Sequence, residues 1–310
     1  MSAFAVILWG FIILCVAFGL FVVLYASQQI FINTLYRSPK KERTRSCTDE
    51  TQQEMFDRGI KWAENYKNST VELHIINDGL NLYGEYIDLG YDRCAVIVQG
   101  RTESLLYSYY YAGTYAKCGY NILVIDTRAH GLSDGKFITA GVLEHRDLIM
   151  WIELIKSRYF ITSFVIHGIC IGAATALFAY SATKKDGLIK KIVMDGVFTN
   201  YYEIFKNHII EKNRPVLFFV YLEFFYTYLF TGANMLKVTP YKYISEIDIP
   251  VLFIWSTKDI YCTMDKNNEL FEACKSEHKE IKLFPNGRHS FVRFNNEEEY
   301  DKTIIDFLKK

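Results

Sequence analysis

One short stretch constrains this chain more than any other. Phe164 to Ile166 read as a short buried strand, which runs into Gly168-Ile169-Cys170-Ile171-Gly172, and from Ile171 to Ala182 an alanine-rich helix follows. No loop separates the strand from the helix, so the chain must reverse in one sharp turn with Cys170 at its apex. Such a turn holds its central residue in strained backbone, and the residues two positions away must be small. Gly168 and Gly172 meet that demand, and Ala173 and Ala174 let the helix approach the sheet closely. The helix amino terminus then points free N–H groups and the positive end of its dipole at Cys170. That surrounding favours a thiolate and also a developing oxyanion.

The rest of the chain supplies the sheet such a turn requires. Val71–Ile76 and Leu82–Ile87 alternate apolar and polar residues, as a hairpin at a sheet edge would. Cys94–Val98, Asn121–Ile125, Ile189–Met194, Val251–Trp255 and Ile281–Phe284 are short apolar runs suited to buried strands. Helical patterns fall between them at Leu105–Ala116 and Val142–Ile155, with others at Asp49–Tyr66 and Glu297–Lys309. Strands alternating with helices predict an α/β fold, a mainly parallel central sheet covered by helices on both faces. One stretch breaks the alternation. Residues from about 199 to 248 carry no strand signal, and Pro215–Phe230 is densely aromatic. We read it as a helical lid insertion; a second membrane-embedded segment and a plain core helix are the other readings.

The first residues follow a different rule. Ala3–Ala26 contains no charged residue. At 1.5 Å per residue it reaches about 36 Å, enough for a hydrocarbon core of about 30 Å. No Lys or Arg precedes the run, which argues for an uncleaved anchor over a signal peptide. Arg37, Lys40, Lys41, Arg43 and Arg45 follow it, so the positive-inside rule puts the catalytic domain on the cytoplasmic side of a single-pass protein. The expected organisation is an anchor over 1–27, a juxtamembrane linker over 28–47, and one globular domain over 48–310.

Formal net charge is zero over 310 residues, which favours neither nucleic acid nor an anionic surface. Cys15, Cys47, Cys94, Cys118, Cys170, Cys262 and Cys274 form no CxxC pair, and their number is odd. Neither a disulfide framework nor a zinc site is expected, and no cofactor motif is present.

A cysteine nucleophile needs a base, and the base benefits from an orienting acid. Asp259 follows the strand Val251–Trp255, and His289 follows the strand that ends at Phe284. Both lie in loops after strands, where open parallel sheets place their sites. The order Cys170, Asp259, His289 is that of a nucleophile, its acid and its histidine. Asp195, after the preceding strand, is a reserve acid. Two backbone N–H groups should form an oxyanion hole, that of Ile171 and that of Arg101 in Gln99-Gly100-Arg101-Thr102. Gly131-Leu132-Ser133-Asp134-Gly135 matches Gly-x-Ser-x-Gly, but no strand leads directly into it and no helix starts at the serine, so Ser133 is read as a decoy. His130 is read as a turn residue, His167 as a packed, satisfied histidine, and His208 as a surface or core residue.

Taken together, these residues resemble the α/β-hydrolase superfamily, in its serine-aminopeptidase-like and acyl-thioesterase-like branch. The resemblance covers roughly residues 70–310. It rests on Gln99-Gly100, the segment Asp126-Thr127-Arg128-Ala129-His130-Gly131-Leu132-Ser133, the turn at Cys170, Asp259 and His289. It departs from the family at Gln99, where His is usual, at Ala129, where Gly is usual, and at Cys170, where Ser is usual. The resemblance implies a hydrolase that cleaves an ester or thioester through a covalent acyl-enzyme. Its partners would be a small acyl substrate, lipid-like if the aromatic lid supplies an acyl site, and the membrane. An acyltransferase would share every catalytic residue, and a non-catalytic binding protein is the third reading. Thiolate chemistry suits activated acyl groups better than peptides.

Overall fold

The computed structural model describes residues 2–37, 49–211 and 217–310. The basic cluster from Lys40 to Arg45 and Cys47 lie outside the described residues.

Helix α1 (Ala3–Thr34) carries the apolar run, and Ala3–Ile32 is long and apolar enough to cross a membrane. It is exposed over most of its length, but Ser27, Ile30, Phe31 and Leu35 are buried. Their spacing of three and four residues marks one helical face. Helix α2 (Glu50–Glu64) begins where Asp49 Oδ1 accepts the amides of Thr51 and Gln52 at 3.0 and 3.2 Å. The hairpin β1 (Thr70–Asn77) and β2 (Leu80–Ile87) then enters the sheet.

The core follows the expected alternation. It comprises β3 (Arg93–Val98), α3 (Leu105–Lys117), β4 (Asn121–Ile125), α4 (Glu144–Tyr159), β5 (Ser163–Ile169), α5 (Ile171–Thr183) and β6 (Ile189–Asp195). Helix α4 starts two residues later than the periodicity predicts. The Glu144 carboxylate is drawn back onto the preceding loop, accepting the amides of Thr139 and Gly141 at 2.8 Å each. Residues 199–248 contain α6 (Tyr201–Glu211), α7 (Leu217–Thr231) and the short α8 (Pro240–Tyr243), with no strand among the described residues. The chain closes with β7 (Val251–Ser256), α9 (Met264–Ala273), β8 (Lys279–Phe284), the one-turn α10 (Val292–Asn295) and α11 (Glu297–Lys309).

The eight strands form one sheet in the order β1-β2-β4-β3-β5-β6-β7-β8. From β4 to β8 every pairing is parallel, and only β2 runs against its neighbours. Strand β5 shows how both faces are covered. The His167 ring packs edge-on against Tyr111 of α3 and stacks with Tyr300 of α11, while a Cβ on Gly168 would meet the α5 backbone. Successive strand residues point to opposite faces. Helices α3 and α11 therefore cover one face and α5 the other.

Helix α1 is tied to the carboxyl edge of the sheet, where β3 to β7 deliver their loops. The Arg37 amide donates to the Lys136 carbonyl at 2.6 Å, and the Ile138 amide to that of Leu35 at 2.9 Å. Phe31 packs against Phe137 from that loop and against Tyr226 and Phe230 of α7.

Candidate active site

The apex residue Cys170 has φ +53° and ψ −113°, a region costly for any residue with a side chain. Packing enforces it. A Cβ on Gly172 would lie 2.1 Å from the Val98 carbonyl oxygen, and one on Gly168 would lie 2.4 Å from the Ala173 amide. Only glycine lets β3, β5 and α5 approach this closely. The Cys170 amide donates to the Asp195 carbonyl at 2.8 Å, which fixes the turn to the end of β6. Ile171 is the first residue of α5, where an amide has no acceptor within its own helix.

Asp259 and His289 meet in the loops after β7 and β8. His289 Nδ1 lies 2.6 Å from Asp259 Oδ2. The other carboxylate oxygen accepts the amides of Tyr261 and Cys262 at 2.8 and 2.9 Å, so the acid is held from both sides. Burial pushes the His289 ring toward its neutral form, but the negative charge of Asp259, with smaller contributions from the thiols of Cys170 and Cys262, outweighs it and raises the pKa. Nε2 of His289 is buried and has no hydrogen-bond partner among the described residues. The Tyr107 hydroxyl, from α3, donates to the Ser290 carbonyl and pins the loop that carries the histidine.

Cys170, Ile171, His289 and Arg101 share one cleft of about 350 Å³. The carbonyl of Arg101 is gripped twice, by His130 Nε2 at 2.8 Å and by the Arg37 guanidinium at 2.5 Å. Burial, aided by nearby Arg37, lowers the His130 pKa to about 4, so its ring is neutral at pH 7. With its proton on Nε2 the ring donates to Arg101, and Nδ1, 2.9 Å away, accepts from the Thr127 hydroxyl. His130 is thus a turn residue that orients the loop after β3.

The same turn explains Ser133 and Arg128. Ser133 Oγ donates to the Asp126 carbonyl at 2.6 Å and accepts the Tyr83 amide at 2.8 Å, which commits it to the fold. Asp126 also accepts the amides of Leu105 and Leu132, both at 2.8 Å. A Cβ on Gly131 would fall 2.0 Å from the Asp126 carboxylate, so this position must stay glycine. Ala129 adopts φ +64°, a left-handed conformation that costs an alanine roughly 1–2 kcal/mol. Arg128 makes a two-pronged pair with Asp147 at 2.7 Å on each prong, in the interior.

Asp195 does not reach His289. Its carboxylate accepts the Tyr300 hydroxyl at 2.6 Å, and burial raises its pKa to about 7 against the pull of that bond. His167 lies beside the same hydroxyl through Nε2 at 3.2 Å, but its Nδ1 has no partner among the described residues. It is packed, as expected, but only half satisfied.

The aromatic segment behaves differently from the expectation. Among the described residues the lid wall of the cleft comes from α6, with Tyr201, Ile204, Phe205 and His208, and none comes from α7. Helix α7 stacks behind α6 through Phe224, which packs on Tyr201 and Phe205. His208 therefore borders the cleft, a placement its sequence surroundings do not signal. Cys262 is a second residue that its sequence surroundings do not signal, and it lies beside Asp259, not on the cleft wall. Donor atoms of Asp259, Cys262 and His289 lie within 4.8 Å of one another, a spacing that would suit a metal ion. Here they are already occupied: the Cys262 thiol donates to the Gly196 carbonyl at 3.3 Å, and burial raises its pKa to about 12. The cluster fits an acid–histidine pair better than a metal site.

A mainly parallel sheet with a nucleophile-type turn after its central strand, and an acid and a histidine in later loops, defines the α/β-hydrolase fold. The chain belongs to the α/β-hydrolase superfamily. Its relatives include the uncharacterised protein YqkD of Bacillus subtilis, 31% identical over 215 residues, which are 69% of this chain and 70% of that protein. Residues 227–298 match the serine aminopeptidase family S33. Among solved structures, the esterase Pf2001 of Pyrococcus furiosus superposes with TM-score 0.69 at 21% identity, covering 89% of this chain and 98% of that one. The esterase EaEST of Exiguobacterium antarcticum superposes with TM-score 0.56 at 14% identity, covering 77% and 100%.

Proposed function

We propose that this protein is a membrane-anchored hydrolase that cleaves an ester or thioester through Cys170, His289 and Asp259. The observation that carries the reading is the 2.6 Å contact of His289 with Asp259 in the cleft that also holds the strained Cys170. Esterases on the same fold, Pf2001 and EaEST, support the choice of reaction.

His289 Nε2 takes the thiol proton of Cys170, and the sulfur attacks the acyl carbonyl. The amides of Ile171 and Arg101 receive the oxyanion. The tetrahedral adduct collapses, the C–O or C–S bond to the leaving group breaks, and His289 returns the proton to that group. Water, deprotonated by His289, then attacks the thioester and releases the acid and the thiol. Transfer to an amine or alcohol differs only in the acceptor of this last step. Because a thiolate leaves more readily than an alkoxide, activated acyl groups are the preferred substrates. Residues 3–26 hold the domain at a bilayer, and the basic residues that follow put it on the cytoplasmic side.

The test uses the full chain in detergent with acyl thioesters and p-nitrophenyl esters. Turnover is expected, with loss in Cys170→Ala and an acyl adduct trapped on the Cys170 peptide by mass spectrometry. Absence of turnover and of labelling by an electrophilic probe would refute the enzyme reading. Full activity in Cys170→Ala would move the nucleophile elsewhere.

A further inference from the structure

Helix α7 is apolar on every side. Its sequence, LFFVYLEFFYTYLFT, contains a single ionisable carboxylate, Glu223, and no cation. That carboxylate is not on the outside: Glu223 is buried and accepts the Ser27 hydroxyl of α1 at 2.8 Å. Val220, Glu223, Phe224 and Thr227 form the buried face. On the opposite face Tyr221, Phe225, Tyr228 and Leu229 are each more than half exposed, at 53, 55, 56 and 62%. A helix that is hydrophobic all round is normally enclosed, by protein or by lipid.

We infer that this outward face lies in the lipid bilayer beside α1, so that two helices hold the body to the membrane. The inference rests on the reading of α1 as an anchor. What commits the occupant to lipid is the depth set by the α1 contact. The apolar run of α1 is first broken by the polar Ser27-Gln28-Gln29, and Ser27, Ile30 and Phe31 at that level are the residues buried against the body. Phe31 touches Tyr226 and Phe230. Helix α7 is therefore fixed at the boundary of the hydrocarbon layer, the level at which Tyr and other amphipathic aromatics collect. Fifteen residues reach only about 22 Å, too short to span, so the helix lies along the interface. In sequence, Lys212 and Arg214 precede the helix and Lys237 follows it. Because α6 packs on α7 and also walls the cleft, the membrane contact is one helix away from Cys170.

The experiment uses the full chain in phosphatidylcholine–phosphatidylglycerol vesicles that contain a phospholipid with a diazirine in its acyl chain. After irradiation, adducts are mapped by mass spectrometry. Adducts are expected on residues 3–26 and on the peptide holding Tyr221 to Leu229. Phe160, 83% exposed and at the opposite, amino end of the strands, should remain free of them. Adducts on α1 with none on α7 would overturn the inference and leave the anchor standing. Adducts on neither would remove both. Cross-links between copies through an unlabelled α7 would assign the face to a second copy and overturn it as well. Phe225→Asp with Tyr228→Asp, both at exposed positions, should cut α7 labelling at least tenfold with α1 labelling and the melting temperature retained. Undiminished α7 labelling in this variant, or equal labelling of Phe160, would show that depth is not what the probe reads and would refute the proposal.

Discussion

Gly172→Ala tests whether the turn at Cys170 is held by backbone contact. The added methyl would sit 2.1 Å from the Val98 carbonyl oxygen and 2.8 Å from that of Gln99. Ordinary contact begins near 3.5 Å, so α5 and the end of β3 must part by about 1 Å or more. Neither side can yield cheaply, because Val98 is paired with Gly168 in the sheet and the obstacle is backbone. The expected cost is about 3 kcal/mol, the upper end of overpacking. That corresponds to a fall in melting temperature of about 6–12 °C. The same movement shifts Ile171 and Arg101 relative to Cys170, and a displacement of about 1 Å is worth roughly 10²-fold in rate. Gly113→Ala in α3 is the control. There the nearest atoms belong to the partly exposed Trp62 ring at 3.0 and 3.2 Å. The ring can move, and Ala gains about 0.5–1 kcal/mol of helix preference, so the change should stay within about 1 kcal/mol. Thermal melts and thioester turnover of both variants check this. If Gly172→Ala melts like the control with turnover intact, the close-approach argument is wrong.

Asp259→Asn should lower kcat roughly 10³–10⁴-fold, since the amide no longer holds the ring in the productive tautomer; steady-state rates decide. The pair stabilises the fold fully below the ordinary histidine range near pH 6.5 and less as pH rises through the raised His289 value. The stability gap between wild type and this variant, read by urea melts, should therefore narrow on the alkaline side. Asp195 works in the opposite sense. Its folded pKa of about 7 means that its burial costs little near pH 4 and increasingly more up to pH 7, so Asp195→Asn should flatten the loss of stability over that range. Asp147→Ala leaves the buried Arg128 guanidinium only the half-exposed Asp78, 3.1 Å away, and should cost about 3 kcal/mol in denaturant melts. His130→Phe should lower kcat about tenfold or more with KM retained, because the Arg101 carbonyl loses a partner; His130→Gln, which keeps a donor, should restore part of it.

How much of this was readable from sequence divides along the range of the interactions. The turn at Cys170 is local, and its two glycines state the packing constraint at fixed spacing. The loops that carry Asp259 and His289 could be found because each follows an apolar strand. The contact of Arg37 with Arg101 could not, for it joins residues 64 positions apart and leaves no periodic trace. Cys262 is placed beside the acid only by the tight bend that gives its amide to Asp259. Helix α7 shows the limit of pattern reading. An all-round apolar helix has the same composition whether it lines a cleft, fills a core or meets lipid. Its contacts assign it a place behind α6.

The bond from Tyr300 to Asp195 has a consequence for the order of assembly. Asp195 holds the Cys170 amide through its carbonyl, while its carboxylate depends on a hydroxyl from the last helix of the chain. Synthesis proceeds from the other end. Helix α1 and most of the sheet can form while α11 is still unmade. Until that helix docks, the floor under the turn lacks its Tyr300 partner and Cys170 stands in an unfinished pocket. A nascent or truncated chain would thus carry the turn before its support is complete, with the Cys170 thiol open to oxidation in the interval.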